Sequence, residues 1–268
     1  MMCRDSSDQR GSLAFRNFRS YHTPDLLDLL DLLDLLDLLD LPTCRSGNPL
    51  KLDLNDISLT FDDKTLFTDV SLTINQGDFL IVRGASGSGK TSFLRLLNRL
   101  GEPSSGTIAC DGEPLAKMEA TRYRRRVGYV QQTPILISGT VYENLMLPFS
   151  YKSASKEAPD PARLKADMSN FNLGDVKLED SADNLSVGQK QRIALIRTLL
   201  TDPEVILGDE PTSALDPESR SIVETHLRKI NREQNTTVIL VTHLEFDPDD
   251  VSARKFTLDG GQLEEGIA

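Results

Sequence analysis

The stretch GASGSGKT, residues 84–91, decides the fold. Gly84, Gly89, Lys90 and Thr91 fit the pattern G-x-x-x-x-G-K-[ST], which carries meaning only between a strand and a helix. Both flanks are present. DFLIVRG (78–84) reads as a short buried strand, and TSFLRLLNRL (91–100) places Phe93, Leu96, Leu97 and Leu100 on one helical stripe, with Gly101 as the expected stop. Glycine lets such a loop curl so that backbone N–H groups point inward, and the following helix adds partial positive charge at its start. A loop of this kind holds phosphate, with Lys90 as a point charge and the Thr91 hydroxyl as a ligand for Mg²⁺. The whole run Gly84, Ala85, Ser86, Gly87, Ser88, Gly89, Lys90, Thr91 and Ser92 is therefore the expected nucleotide-binding segment. An ordinary Gly/Ser turn would not require all of these residues in this context.

Other apolar runs fit the same architecture. EVILGDE (204–210) and TTVILVTH (236–243) read as buried parallel strands alternating with helices, and VGYVQ (127–131) as another short strand. LKLDLNDISLTF (50–61) and LFTDVSLTI (66–74) alternate apolar and polar residues, as antiparallel strands near an edge do. Asp209, at the end of its strand, is placed to hold Mg²⁺, and Glu210 to orient or deprotonate an attacking water. Asp160 before Pro161 reads as the cap of a helix carrying Leu164, Met168 and Phe171 on one face, after a polar surface loop at 150–162.

A second anion-holding sequence is LSVGQKQR, residues 185–192, ahead of IALIRTLL. Ser186 and Gln189 have capping-box spacing, so the plain reading is a well-capped helix with Ile193, Ile196 and Leu200 facing the core. Capping alone leaves Gly188 unexplained, and a helix start with a hydroxyl and a bare glycine amide also suits an anion.

Composition narrows the function classes. The chain has 268 residues and a net charge of −11, which disfavours nucleic acid as a partner. Cys3, Cys44 and Cys110 lack metal-ligand spacing and an even disulfide count, favouring a reducing compartment. No apolar run is long enough to cross a bilayer. Residues 25–42, DLLDLLDLLDLLDLLDLP, repeat every three residues, so the Asp side chains walk around a helix or alternate across a strand. Neither element segregates that pattern. Residues 1–49 are expected to be a low-complexity, disordered extension rather than an interaction helix, and residues 50–266 the folded domain.

Taken together, the motifs resemble the ATP-binding subunit of ABC transporters. LSVGQ is similar to that family's signature, with Val187 in place of a glycine, and GDEPTSALD (208–216) resembles its catalytic strand end and D-loop. Gln132 in YVQQTP matches the Q-loop, with Gln131 leaving the assignment open by one residue; His243 matches the switch histidine, and Phe61 the aromatic that stacks on adenine. The resemblance implies an α/β P-loop fold with a mostly parallel core sheet, an antiparallel β edge subdomain and an inserted helical subdomain at about 133–184. It implies ATP and Mg²⁺ as ligands, with Thr91, Gln132 and Asp209 at the metal and Glu210, His243, Lys90 and Gln132 in catalysis. It also implies head-to-tail pairing of two copies, so that Ser186, Gly188 and Gln189 of one face the Lys90 loop of the other. A separate permease would hold the pair at the cytoplasmic face of the membrane. QTPILISGTVYENLMLPF (132–149) is similar to the corresponding segment of two-component iron (metal) exporters and of plant relatives implicated in aluminium tolerance. The alternatives are a soluble ABC protein of translation or repair, disfavoured by a single ATPase unit and by the roughly 95 residues between the two loops, and a catalytically dead module, disfavoured by intact Lys90, Asp209, Glu210 and His243. Two further departures are Gly208, expected to loosen its strand by up to about 1 kcal/mol, and Leu244 where the family carries Asp.

Overall fold

Strands that read as unbroken apolar runs become the middle of a sheet covered on both faces. The structure, a computed structural model, describes residues 49–61, 64–151, 157–246, 248 and 251–266; the Asp-Leu-Leu repeat, Cys3, Cys44 and nearly all of the expected extension lie outside these residues. Strands β1 (Lys51–Phe61), β2 (Lys64–Asn75) and β3 (Phe79–Arg83) precede helix α1 (Lys90–Leu97). Then come β4 (Ser105–Cys110), β5 (Glu113–Pro114), α2 (Ala120–Arg126), β6 (Val127–Val130), α3 (Val141–Met146), α4 (Pro161–Asn170) and α5 (Val187–Leu199). The chain continues through β7 (Val205–Asp209), α6 (Pro217–Gln234), β8 (Thr237–Val241), β9 (Ala253–Asp259) and β10 (Gln262–Glu265).

Two sheets form. One is antiparallel, in the order β2-β1-β4-β5. The other runs β10-β9-β3-β8-β7-β6 and is parallel except for the edge strand β10. Every residue of β7 and β8 is buried, as expected where helices cover both faces of a parallel sheet. One apolar core joins the antiparallel sheet to the inner face of the parallel sheet through α1, including Leu52, Ile57, Phe67, Phe93 and Leu97. A second lies on the opposite face, where Val141, Leu145, Leu164 and Met168 of α3 and α4 meet Ile193 and Ile196 of α5. The stretch 133–184 thus contributes its helices to this second core. Within that stretch Leu145 is buried, Leu147 half-buried and Tyr142 exposed.

Helix α1 ends earlier than its sequence suggests. Its C-cap is Asn98, and Arg99 turns left-handed at φ 55°. The Arg99 N–H donates to the Leu96 carbonyl and the Leu100 N–H to that of Arg95, the paired bonds of a Schellman end. Gly101 is therefore not the stop. An arginine takes the position where glycine usually sits, and its guanidinium is anchored to the carbonyls of Ala116 and Met118. Leu100 leaves the helical stripe and is only half-buried.

Gly208 does not loosen β7 as its lack of a side chain suggests. A Cβ there would lie 2.7 Å from Leu240 Cδ2 and 2.9 Å from Pro211 Cγ, so neighbouring side chains fill the space. Gly208→Ala is expected to destabilise the fold by about 1–3 kcal/mol through overpacking, read as a lower midpoint in urea with an unchanged slope.

Arg126 joins the sheets electrostatically. It pairs with Glu204 through Nε at 2.9 Å and with Asp111 through a terminal nitrogen at 2.9 Å. Beside it, burial pushes the Cys110 thiol up to about 12, so this cysteine is an inert core residue.

Candidate active site

Four parallel strands deliver side chains to one edge of the sheet, their carboxyl ends, where ligands of open α/β sheets bind. β3 leads into the Gly84 loop, β6 into Gln132, β7 ends on Asp209 and Glu210, and β8 runs out to His243. They line a cleft of about 560 Å³ that includes Gly84, Gly87, Lys90, Thr91, Gln132, Glu210 and His243.

The loop is built for a backbone ligand. Gly84, Gly87 and Gly89 all have positive φ, and a Cβ on Gly84 would overlap the Leu258 carbonyl oxygen of β9. Gly89 caps α1 without any side-chain bond, so the first N–H groups of the helix keep no local acceptor. Lys90 is 8% exposed, and its ammonium folds back to donate to the carbonyls of Gly84 at 2.9 Å and Ala85 at 2.8 Å. Ser86, Gly89 and Ser92 also line the cleft, whereas the Ser88 hydroxyl is buried with no hydrogen-bond partner among the described residues.

Asp209 is 3% exposed. Its Oδ1 accepts from the Thr91 hydroxyl at 3.1 Å and its Oδ2 from the Tyr129 phenol at 3.1 Å. Burial first, and then the Asp209 charge, push the Tyr129 phenol well above its ordinary range, so it stays protonated and donates. Two neutral hydroxyls are weak compensation for a buried carboxylate, and among the described residues no cationic side chain forms a salt bridge with it. The oxygens offered at this sheet edge, the Asp209 carboxylate, the Thr91 hydroxyl bonded to it and the amide oxygen of the cleft-lining Gln132, are all hard. Mg²⁺ takes few such protein ligands and completes its shell with water and phosphate, so these residues fit it.

Glu210 adopts a left-handed φ of 48°, an uncommon state for a residue with a side chain, held by its N–H bond to the Val241 carbonyl at 2.9 Å. That turn brings its carboxylate to the cleft, where Oε2 accepts from Gln132 Nε2 at 3.0 Å and lies 3.2 Å from His243 Nδ1. Gln132, not Gln131, reaches the cleft; the Gln131 carbonyl instead accepts from Gln191. His243 is 56% exposed along its side chain.

Two groups of candidate residues stand apart. Phe61, at the end of β1, is 70% exposed and does not line the cleft. Ser186, Gly188 and Gln189 open α5, also away from the cleft lining. Both capping-box bonds form there: Gln189 N–H to Ser186 Oγ at 3.2 Å, and Ser186 N–H to Gln189 Oε1 at 2.9 Å. Val187 is 60% exposed. A Cβ on Gly188 would make only ordinary contacts, 3.4 Å to Leu215 Cδ2 and 3.7 Å to the Ala214 carbonyl, so the chain's own packing does not demand glycine. Downstream, Ser213 donates to the Glu210 carbonyl at 3.0 Å and Asp216 caps α6. Tyr129 was not singled out by its sequence; the one available signal was a polar ring near the end of a short strand otherwise buried at Val127 and Val130.

Residues 67–213 match the family described as ABC transporter. The chain is 36% identical over 208 residues to the "Probable iron export ATP-binding protein FetA" of Escherichia coli K12, covering 78% of this chain and 89% of that protein. It is 42% identical over 184 residues to the "Methionine import ATP-binding protein MetN" of Photobacterium profundum, covering 66% of this chain and about half, 52%, of that protein. Among solved structures it resembles a dimeric post-hydrolysis state of the ATP-binding cassette MJ0796 bound to ADP and Pi, with a TM-score of 0.67, 28% identity, and coverage of 80% of this chain and 98% of that one. With a phosphate loop, a buried Asp and a cleft-facing Glu at one sheet edge, the chain belongs to the ABC transporter family and is an ATPase whose ATP hydrolysis is coupled to transport.

Proposed function

We propose that two copies of this chain pair head to tail and bury ATP between them, each copy lending the start of its α5 to the Lys90 loop of the other. The observation that carries this reading is that Ser186, Gly188 and Gln189 lie outside the chain's own cleft while Gly188 is not required by internal packing. A bare glycine amide at a helix start has use for an anion brought by another molecule. The solved relative described as dimeric supports the pairing of two copies.

In this reading the loop from Gly84 to Gly89, with Lys90, Thr91 and Ser92, binds the phosphates, and the exposed ring of Phe61 stacks on adenine. Thr91, Gln132 and Asp209 hold Mg²⁺, which when bound offsets phosphate charge. Glu210 accepts a hydrogen bond from the attacking water and polarises it, while Gln132 and His243 keep the carboxylate aimed into the cleft. Lys90 leaves the Gly84 and Ala85 carbonyls for the β- and γ-phosphates, where its charge stabilises the developing negative charge. His243 contacts the γ-phosphate from the side opposite Lys90. Loss of the bridging phosphate lets the pair open.

A separate permease receives that motion and holds the pair at the cytoplasmic face of a membrane. Its contact surface is the helical subdomain, about residues 133–184, inserted in the 50–266 domain, with residues 1–49 an appendage. We take metal (iron) export as the cargo class. The match to the iron-export relative spans 89% of that protein, against 52% for the methionine-import relative.

A mixing experiment tests the pairing. Ser186→Arg protein spoils the signature and Lys90→Ala protein spoils the loop. A heterodimer of the two regains one intact composite pocket, so the equimolar mixture should turn over ATP well above either variant alone. No recovery, or full-rate hydrolysis by a strictly monomeric wild type, overturns the reading. Cellular iron, unchanged on deletion while methionine uptake falls, would move the cargo to the methionine class.

A further inference from the structure

Asp209 is gripped at both oxygens. Thr91 at the start of α1 donates to one, and Tyr129 of β6 donates to the other, each at 3.1 Å. A carboxylate held at a single oxygen turns easily about its terminal torsion, which is broad and two-fold; held at both, it is fixed in plane. The phenol has one proton, and its direction matters. An ionised carboxylate can only accept, so the phenol proton is committed to Asp209. The positive charge of Arg95 lies close enough to act on the same phenol. Arg95 lies four residues after Thr91 on α1, hence on the same face one turn along. Helix α1 therefore touches Asp209 directly through Thr91 and turns the Arg95 charge toward the phenol on its other oxygen.

We infer that Tyr129 is a positioning residue for the divalent cation of this ATPase: its phenol fixes the second oxygen of Asp209 and so sets how that carboxylate meets the metal. The inference rests on the reading of Asp209 and Thr91 as cation-holding residues. Replacing a group that orients a metal's ligand typically costs about 10- to 100-fold in metal affinity. A phenol that merely satisfied a buried carboxylate would instead support the loop and the nucleotide equally with or without metal.

The test uses the full chain as wild type, Tyr129→Phe, Arg95→Met and the double variant. Mn²⁺ binding in the presence of a non-hydrolysable ATP analogue is followed by electron paramagnetic resonance, and cation-free nucleotide binding by a fluorescent ATP analogue in EDTA. Tyr129→Phe should weaken Mn²⁺ by about tenfold, and raise the Mg²⁺ concentration for half-maximal turnover in parallel, while cation-free nucleotide affinity stays within about twofold. Arg95 is exposed on α1, so its replacement leaves the core intact; it should act in the same direction more weakly and add nothing to Tyr129→Phe. Unchanged Mn²⁺ affinity in Tyr129→Phe, or an equal loss in EDTA, overturns the assignment. A wild type whose nucleotide affinity ignores Mn²⁺ overturns the underlying cation site as well, and so separates the two failures.

Discussion

Glu210→Gln is expected to lower kcat by about two to three orders of magnitude, within the range for losing a positioned general base. Glutamine keeps the shape and can occupy the left-handed position that Glu210 holds at φ 48°. Its amide oxygen can still accept from Gln132 and stay beside His243, the two groups now on the carboxylate. What disappears is the basic oxygen facing water. ATP affinity should therefore hold, and the ATP-loaded pair should persist instead of opening. Steady-state turnover with size-exclusion chromatography in ATP reads both quantities. A variant that turns over within about tenfold of wild type would exclude Glu210 from this chemistry.

Lys90→Ala removes more. Its ammonium is almost buried and donates to two loop carbonyls before any phosphate arrives. A hydrogen bond from a charged donor contributes about 1.5–3 kcal/mol, so nucleotide affinity should fall by about 10- to 100-fold. Turnover should fall by at least about a further tenfold, because the same charge acts on the transition state. The two effects separate by calorimetric titration and by turnover at saturating ATP. Thermal unfolding should move by only a few degrees, since the carbonyls left behind border an open cleft and can be hydrated. Binding lost together with a collapsed melting transition would show the lysine to be structural.

The sequence disclosed those parts of the molecule whose physics is local. VILGD and TVILV read as buried parallel strands, and FLIVR as a buried strand, because both of their faces are covered, leaving an apolar run with no alternation. The capping box at Ser186 spans four residues and could be read with its bonds. The meeting of Gln132, Glu210 and His243 followed from resemblance, and the strand ends explain it. Strand β9 escaped notice: its partner β3 lies far upstream in the chain, and only Phe256 and Leu258 of its residues are buried. Tyr129 was missed because its contact with Asp209 depends on β6 lying beside β7, a neighbour relation that no single segment encodes. The early end of α1 was misjudged because the left-handed residue is an arginine held by carbonyls from 115–118, a support invisible in a window around Gly101.

That arginine ending gives α1 a mechanical character. The helix is eight residues long, about 12 Å, with Lys90 and Thr91 at one tip and, just beyond the other, Arg99 bolted to the segment that follows β5. A strut so short does not bend. A push on the segment around Ala116–Met118 would thus arrive at Lys90 as translation rather than dissipate, making an outer rim of the antiparallel sheet a lever on the phosphate loop.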